Sequence, residues 1–320
     1  MISTRFTERF GLRAPIASAP MAFAAGGELA AAVSTAGGLG LIGGGYGDPA
    51  FLENAFRAAG NTAVGCGFIS WRLSDNRALL TAALSHQPRA MMLSFGDPAP
   101  YRDEIAAAGV ALICQVQSMD HVDDAVAAGA HVIVAQGSEA GGHGATRATM
   151  TLVPEVRDAV GEDTIVLAAG GIADGRGLAA ALALGADGVL MGSRFWAARE
   201  ALTHSRHQAA AVDANGDTTI RQRATDIARG YDWPKPFTAR VLYNAFVQRW
   251  EGRAAEHAAV AEAERPAYGE ALARGDPDET GVFVGEATGI IRDVASAGEI
   301  IERTVAEAEA IIRRSYCLVG

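Results

Sequence analysis

Cysteine is scarce: Cys66, Cys114 and Cys317 are odd in number, far apart and form no Cys-x-x-Cys. That excludes a disulfide framework and a cysteine-built zinc site, and it leaves Cys66 and Cys114 as expected buried thiols in strands. Positive charge is in deficit too, with 27 Lys and Arg against 37 Asp and Glu and a net charge of −10. Such a balance repels phosphate backbones and offers no basic stripe, so no nucleic-acid partner is expected. No apolar run is long enough to span a bilayer, and Met1 leads into the polar Ser3-Thr4-Arg5 rather than into the apolar region of a signal peptide. No membrane partner and a cytoplasmic location are therefore expected. Low-complexity tracts are missing as well.

What is plentiful is apolar residue, 49% of 320 positions. That is enough for a substantial core, in one large domain or in a large domain carrying a smaller one. Eight short apolar or β-rich runs stand out: Pro15–Pro20, Leu39–Gly43, Thr62–Phe68, Ala90–Phe95, Val110–Val116, His131–Gln136, Thr164–Ala169 and Asp187–Met191. Between them lie alanine-rich segments with helical apolar spacing, such as Glu28–Ala36, Pro49–Ala59, Pro100–Ala108, Asp120–Ala128 and Arg176–Leu184, several ending in Gly. Alternation of this kind predicts a parallel sheet. Runs too continuously apolar to face water favour a closed (β/α)8 TIM barrel of roughly 200 residues over an open doubly wound sheet.

After Met191 the composition becomes more charged. Residues 199–284 contain Asp232-Trp-Pro-Lys-Pro236, a helical stretch around Val241–Trp250 and the polar loop Gly275–Gly281, and read as a smaller, mostly helical second domain inserted after the eighth strand. The expected organisation is a barrel over 1–198, this cap over 199–284, and a segment 285–320 returning to the barrel. In that last segment Ser296 and Glu299 form a capping-box pattern, and Ile300, Ile301, Val305, Ala308, Ile311 and Ile312 share one helical face.

In such a barrel the site is built from loops at the C-terminal ends of the strands. The loop after the seventh run reads Ala169-Gly-Gly-Ile-Ala-Asp-Gly-Arg-Gly177, and that after the eighth reads Met191-Gly-Ser-Arg-Phe195. Both offer backbone N–H groups ahead of a helix, where phosphates recur in this fold. Gly170, Gly171, Gly192 and Ser193 are thus candidates for holding a phosphate-bearing ligand; the alternative is that the glycines only make tight turns. Gly38-Leu-Gly-Leu-Ile-Gly43 matches a dinucleotide fingerprint but leaves a helix and enters a strand, the reverse of the required order, and is rejected.

The loop after the sixth run, Gly137-Ser-Glu-Ala-Gly-Gly-His-Gly144, concentrates four glycines around Glu139 and His143. Glycine allows close approach to a flat ligand, and an imidazole titrates near neutrality, so His143 is a candidate general base or acid, with Glu139 to orient it or pair with its charge. A mobile loop carrying a solvated histidine is the other reading. Glu200, His204 and His207 share a helical face, but with no fourth ligand in view no metal site is expected. Trp71, Trp196, Trp233 and Trp250 could line a pocket, with core packing the default for each.

The order Ala19-Pro-Met-Ala22, Gln136-Gly-Ser-Glu-Ala-Gly-Gly-His143, Ala169-Gly-Gly-Ile172 and Met191-Gly-Ser-Arg-Phe195 resembles the nitronate monooxygenases, formerly 2-nitropropane dioxygenases. The resemblance spans the barrel and, more loosely, Asn244–Gly252 and Val284–Ile291. It implies an oxidoreductase with FMN at the barrel mouth, Pro20, Met21 and Ala22 along the flavin, Gln115, Gln136, Gly141 and Gly142 contacting it, phosphate on Gly170, Gly171, Gly192 and Ser193, and His143 as catalytic base. The implied reaction is oxidation of alkyl nitronates, a small-molecule substrate, by O2 to a carbonyl compound and nitrite; a homodimer is one possible assembly. Two departures stand out: Gly65-Cys-Gly-Phe68 where many members carry an asparagine, and Gln115 where some carry lysine. The resemblance also admits an NAD(P)H-dependent reductase of quinones or of enoyl-acyl-carrier protein, and a flavin-binding protein without turnover.

Overall fold

The computed structural model describes residues 2–316; Cys317 lies outside them. All eight apolar runs form strands, namely β1 (Ile16–Ser18), β2 (Leu41–Gly45), β3 (Gly65–Ile69), β4 (Ala90–Ser94), β5 (Ala111–Val116), β6 (Val132–Gln136), β8 (Ile165–Ala169) and β9 (Gly188–Met191). Between β6 and β8 lies the short β7 (Gly142–Gly144). The eight pair in parallel in the order β1-β9-β8-β6-β5-β4-β3-β2, and a bridge between Ala17 and Leu39 brings the two ends of the sheet together into a TIM-barrel-like fold.

Alternation along each strand serves two cores at once. Ala90 and Met92 on β4 and Val132 and Val134 on β6 point inward, where Phe6 and Phe10 from the helix Arg5–Phe10 join them. Their neighbours Met91, Leu93, Ile133 and Ala135 point outward to the helices. Cys66 on β3 and Cys114 on β5 are buried free thiols, and burial pushes both up to about 12, well away from thiolate chemistry at neutral pH.

The C-terminal helix Ala297–Tyr316 starts at the expected Ser296/Glu299 box, with the Ser296 amide donating to Glu299 (2.9 Å) and the Glu299 amide to the Ser296 hydroxyl (3.3 Å). It packs against the helix Gly175–Ala183 so closely that a Cβ on Gly175 would lie 2.4 Å from the Ala308 nitrogen. Residues 199–284 hold the helices Ser205–Asp213, Ala224–Arg229, Ala245–Trp250 and Ala254–Ala273 together with β10 (Thr219–Gln222) and β11 (Thr238–Leu242). Val241 therefore belongs to a strand, not to the helix expected around Val241–Trp250; the helix starts after Asn244, whose side chain accepts from the Val247 amide (3.0 Å). β10, β11 and β7 form one antiparallel sheet, so the glycine-rich barrel loop is stitched into the later segment. Among the described residues no helix is long and apolar enough to cross a membrane.

Candidate active site

A cavity of about 590 Å3 opens at the C-terminal ends of the strands. All twelve residues expected at a site, from Pro20 after β1 to Ser193 after β9, line it. The loop after β1 folds down over β2 and β3 because those strands leave room: a Cβ on Gly43 would meet the Met21 carbonyl at 2.5 Å, and one on Gly67 would meet Pro20 at 2.4 Å.

Three glutamines meet at the C-terminal ends of β5 and β6, and two of them, Gln115 and Gln136, line the cavity. The Gln136 side-chain oxygen accepts from Gln115 (3.1 Å) and Gln117 (2.9 Å), and its amide nitrogen donates to the His143 carbonyl (3.0 Å). Both ends of the Gln136 amide are thus assigned, which locks the backbone of His143 to β6.

His143 lies on β7, half-buried as a residue with its side chain 8% exposed, and its Nε2 faces both carboxylate oxygens of Asp226 at 2.9 and 3.0 Å. Its ring stacks on Trp233 with centroids 3.4 Å apart and planes 8° from parallel, and Phe95 approaches edge-on at 6.4 Å. Asp226 is 1% exposed, and a buried carboxylate facing Nε2 fixes the tautomer with its proton on Nε2 and the lone pair on Nδ1. Burial pushes the His143 pKa below its ordinary value; Asp226 opposes this shift, and Arg229 and Arg221 add to it. The imidazole is accordingly neutral at pH 7 and able to take a proton.

Glu139 is not the orienting group. Its carboxylate accepts from the Thr149 amide (3.0 Å) and hydroxyl (2.9 Å), closing the loop on the next helix instead. Nor do the glycines chiefly clear space for a ligand. A Cβ on Gly137 would meet the Thr149 hydroxyl at 2.0 Å, one on Gly141 would meet the Gly285 nitrogen at 2.5 Å, and one on Gly144 would meet Arg221 at 2.7 Å. They let this loop pack against its own protein. Glu200, His204 and His207 do not share a helical face: Glu200 accepts from the Ala297 amide, His204 caps the helix Ser205–Asp213, and His207 contacts the Thr280 hydroxyl (3.0 Å). No cluster that could hold a metal ion occurs among the described residues.

Trp233 and Trp196 line the cavity, Trp71 meets Trp233 edge-on, and Trp250 packs on His257. Asp226, Tyr46 and Arg229 carry no local motif, and only the fold brings them here. Tyr46 accepts from Trp233 Nε1 (2.9 Å) and stacks on Tyr231 at 3.9 Å, and burial raises its pKa so that the phenol stays protonated.

Comparison with known proteins decides the family. The nitronate monooxygenase family model matches residues 58–307. The chain belongs to the nitronate monooxygenase family. It is 36% identical to nitronate monooxygenase npaC of Metarhizium robertsii, over 93% of this chain and 91% of that protein. It is 32% identical to a nitronate monooxygenase of Neurospora crassa over 93% and 90%. Among solved structures, FabK from Thermotoga maritima superposes with a TM-score of 0.88 at 31% identity over 100% of both chains. A nitroalkane oxidase from Streptomyces ansochromogenes gives 0.80 at 28% identity over 95% of this chain and 98% of that one. This member of the family is an oxidoreductase.

Proposed function

We propose that the chain is an FMN-dependent nitronate monooxygenase that converts alkyl nitronates and O2 to carbonyl compounds and nitrite. The observation that carries the reading is the neutral, Asp226-held His143 on the wall of a cavity that is also lined by unused backbone donors. Among the described residues no hydrogen bond takes up the N–H groups of Gly170, Gly171, Gly192 or Ser193. Gly170 and Gly171 have φ of +101° and +72°, a region that glycine enters freely and that turns successive amides to one side. This donor set fits a phosphate, and the apolar wall of Pro20, Met21, Met92 and Leu190 beside the Gln115 amide fits a planar polar-edged ring.

FMN would be held by those amides at its phosphate and by Pro20, Met21, Ala22, Gln115, Gln136, Gly141 and Gly142 along its ring, and when bound it supplies the redox chemistry. His143 does the proton work. With Nε2 donating to Asp226, Nδ1 removes the proton on the carbon next to the nitro group of a neutral nitroalkane. A nitronate arrives without that proton and needs His143 only for orientation. Residues 199–284, which contribute Asp226 and Trp233, act as a cap domain that shields the imidazole from water.

The test is anaerobic. Purified protein with a yellow flavin spectrum is mixed separately with an alkyl nitronate and with NADH or NADPH while the flavin band is followed. Bleaching by nitronate alone is the expected result; bleaching by nicotinamide alone would replace this reading with a reductase.

A further inference from the structure

The walls of the cavity contain Arg229 and Arg265 and no Asp or Glu, in a protein whose net charge is −10. The two arginines differ in what already holds them. Arg265 donates to the Ala228 carbonyl at the end of the helix Ala224–Arg229 (3.4 Å). Arg229 has no hydrogen bond and no ion pair among the described residues. Its guanidinium is instead surrounded by aromatic rings: Tyr231 at 4.8 Å, Phe23 at 5.1 Å, Tyr46 at 5.4 Å and Phe283 at 5.5 Å from the ring centroids. Asp226, one turn earlier on the same helix, presents both carboxylate oxygens to His143 and forms no ion pair with Arg229.

Aromatic faces stabilise a guanidinium but leave its N–H edges without acceptors. A cation held this way in a partly dry cavity attracts an anion more strongly than one already paired with a carboxylate. A continuous set of contacts links it to the base: Tyr46 lies under Arg229, Trp233 donates to the Tyr46 hydroxyl (2.9 Å), and His143 stacks on Trp233. The unused backbone donors for a phosphate lie elsewhere, on the loops after β8 and β9.

We propose that Arg229 is the specificity-determining residue for charge: it binds the anionic group of the substrate, so that the site prefers an alkyl nitronate over its neutral parent nitroalkane. The proposal rests on the nitronate reading above. Glutamine or methionine at this position would keep side-chain length and lose the charge, whereas lysine would keep the charge and lose the planar fork.

The experiment compares wild type with Arg229→Met and Arg229→Lys, each confirmed to hold the same amount of flavin, on a pre-ionised primary nitronate and on its parent nitroalkane. Arg229→Met is expected to raise KM for the nitronate at least tenfold and KM for the nitroalkane less than threefold, with Arg229→Lys in between. Added salt should weaken nitronate use by wild type and leave Arg229→Met insensitive. Equal effects on both substrates, or loss of flavin from Arg229→Met, would overturn the proposal and assign Arg229 to structure or to the cofactor. Inorganic nitrate, a planar anion that does not react, separates this question from the activity itself. Quenching of tryptophan fluorescence by nitrate should require at least tenfold more nitrate in Arg229→Met, even if wild type oxidises neither substrate. Identical quenching in both would refute the anion site.

Discussion

At the scale of single residues, the site turns on a pair separated by 83 positions, His143 and Asp226. His143 stands out in the sequence by its glycine-rich loop and Asp226 does not; together they define a base. Asp226→Asn should separate their roles. An asparagine can donate its own N–H to Nε2, which moves the imidazole proton to Nδ1 and leaves no lone pair there to take a proton. Turnover of neutral nitroalkanes is expected to fall by about 100-fold, the usual scale of general-base catalysis, while nitronate oxidation falls by no more than about tenfold because no proton has to be removed. Asp226 also raises the His143 pKa against the lowering effect of burial. The acidic limb of the residual nitroalkane profile should therefore move to lower pH in the variant, a shift that simple loosening of the loop would not produce. Steady-state rates on both substrates across pH 5 to 8 check both points.

At the scale of elements, the glycine-rich loop is a joint between the barrel and the segments that follow it. Gly142–Gly144 pairs with Thr238–Arg240, and Gly141 abuts Gly285 backbone to backbone. Gly141→Ala would force a methyl within 2.5 Å of the Val284–Gly285 main chain, and overpacking of that kind costs about 1–3 kcal/mol. Gly161→Ala, at a position with nothing within 4 Å, is the matched control. Urea midpoints should fall for the first and hold for the second, and the first should also retain less flavin. The barrel itself was legible in the sequence because its strands are buried on both faces, so each writes an uninterrupted apolar run, and because glycines end the intervening helices. The three strands of the smaller sheet left no such trace. Gly142-His-Gly144 has no strand propensity, and Thr238–Leu242 runs into the following helix with only Tyr243 and Asn244 between them. Pairing between distant segments, not local pattern, makes them strands. For the same reason the glycine loops and His143 could be placed at the barrel mouth from sequence, whereas Asp226, Arg229 and Tyr46 could not.

At the scale of the whole molecule, histidine links stability to pH. His131, His143, His207 and His257 all have pKa values lowered from the ordinary value of 6.5, with burial as the leading cause in each. In the unfolded chain these groups take up protons near pH 6.5, and in the native chain they resist until lower pH. The unfolded state then binds more protons across that interval, so stability is full above pH 6.5 and is lost as pH falls through the native values. Each such proton contributes at most about 1.4 kcal/mol per pH unit. His257 is the sharpest case, fully buried, stacked on Trp250 at 4.3 Å, and with neither ring nitrogen hydrogen-bonded. Replacing it with phenylalanine keeps an aromatic ring against Trp250 and removes the titrating group along with two unsatisfied polar atoms. Wild type should show a lower urea midpoint at pH 5.5 than at pH 7.5. His257→Phe should narrow that difference while keeping or raising the midpoint at pH 7.5. An undiminished pH dependence in the variant would shift the linkage to His131, His143 and His207, and enlargement of it by Asp226→Asn would mark the His143 share.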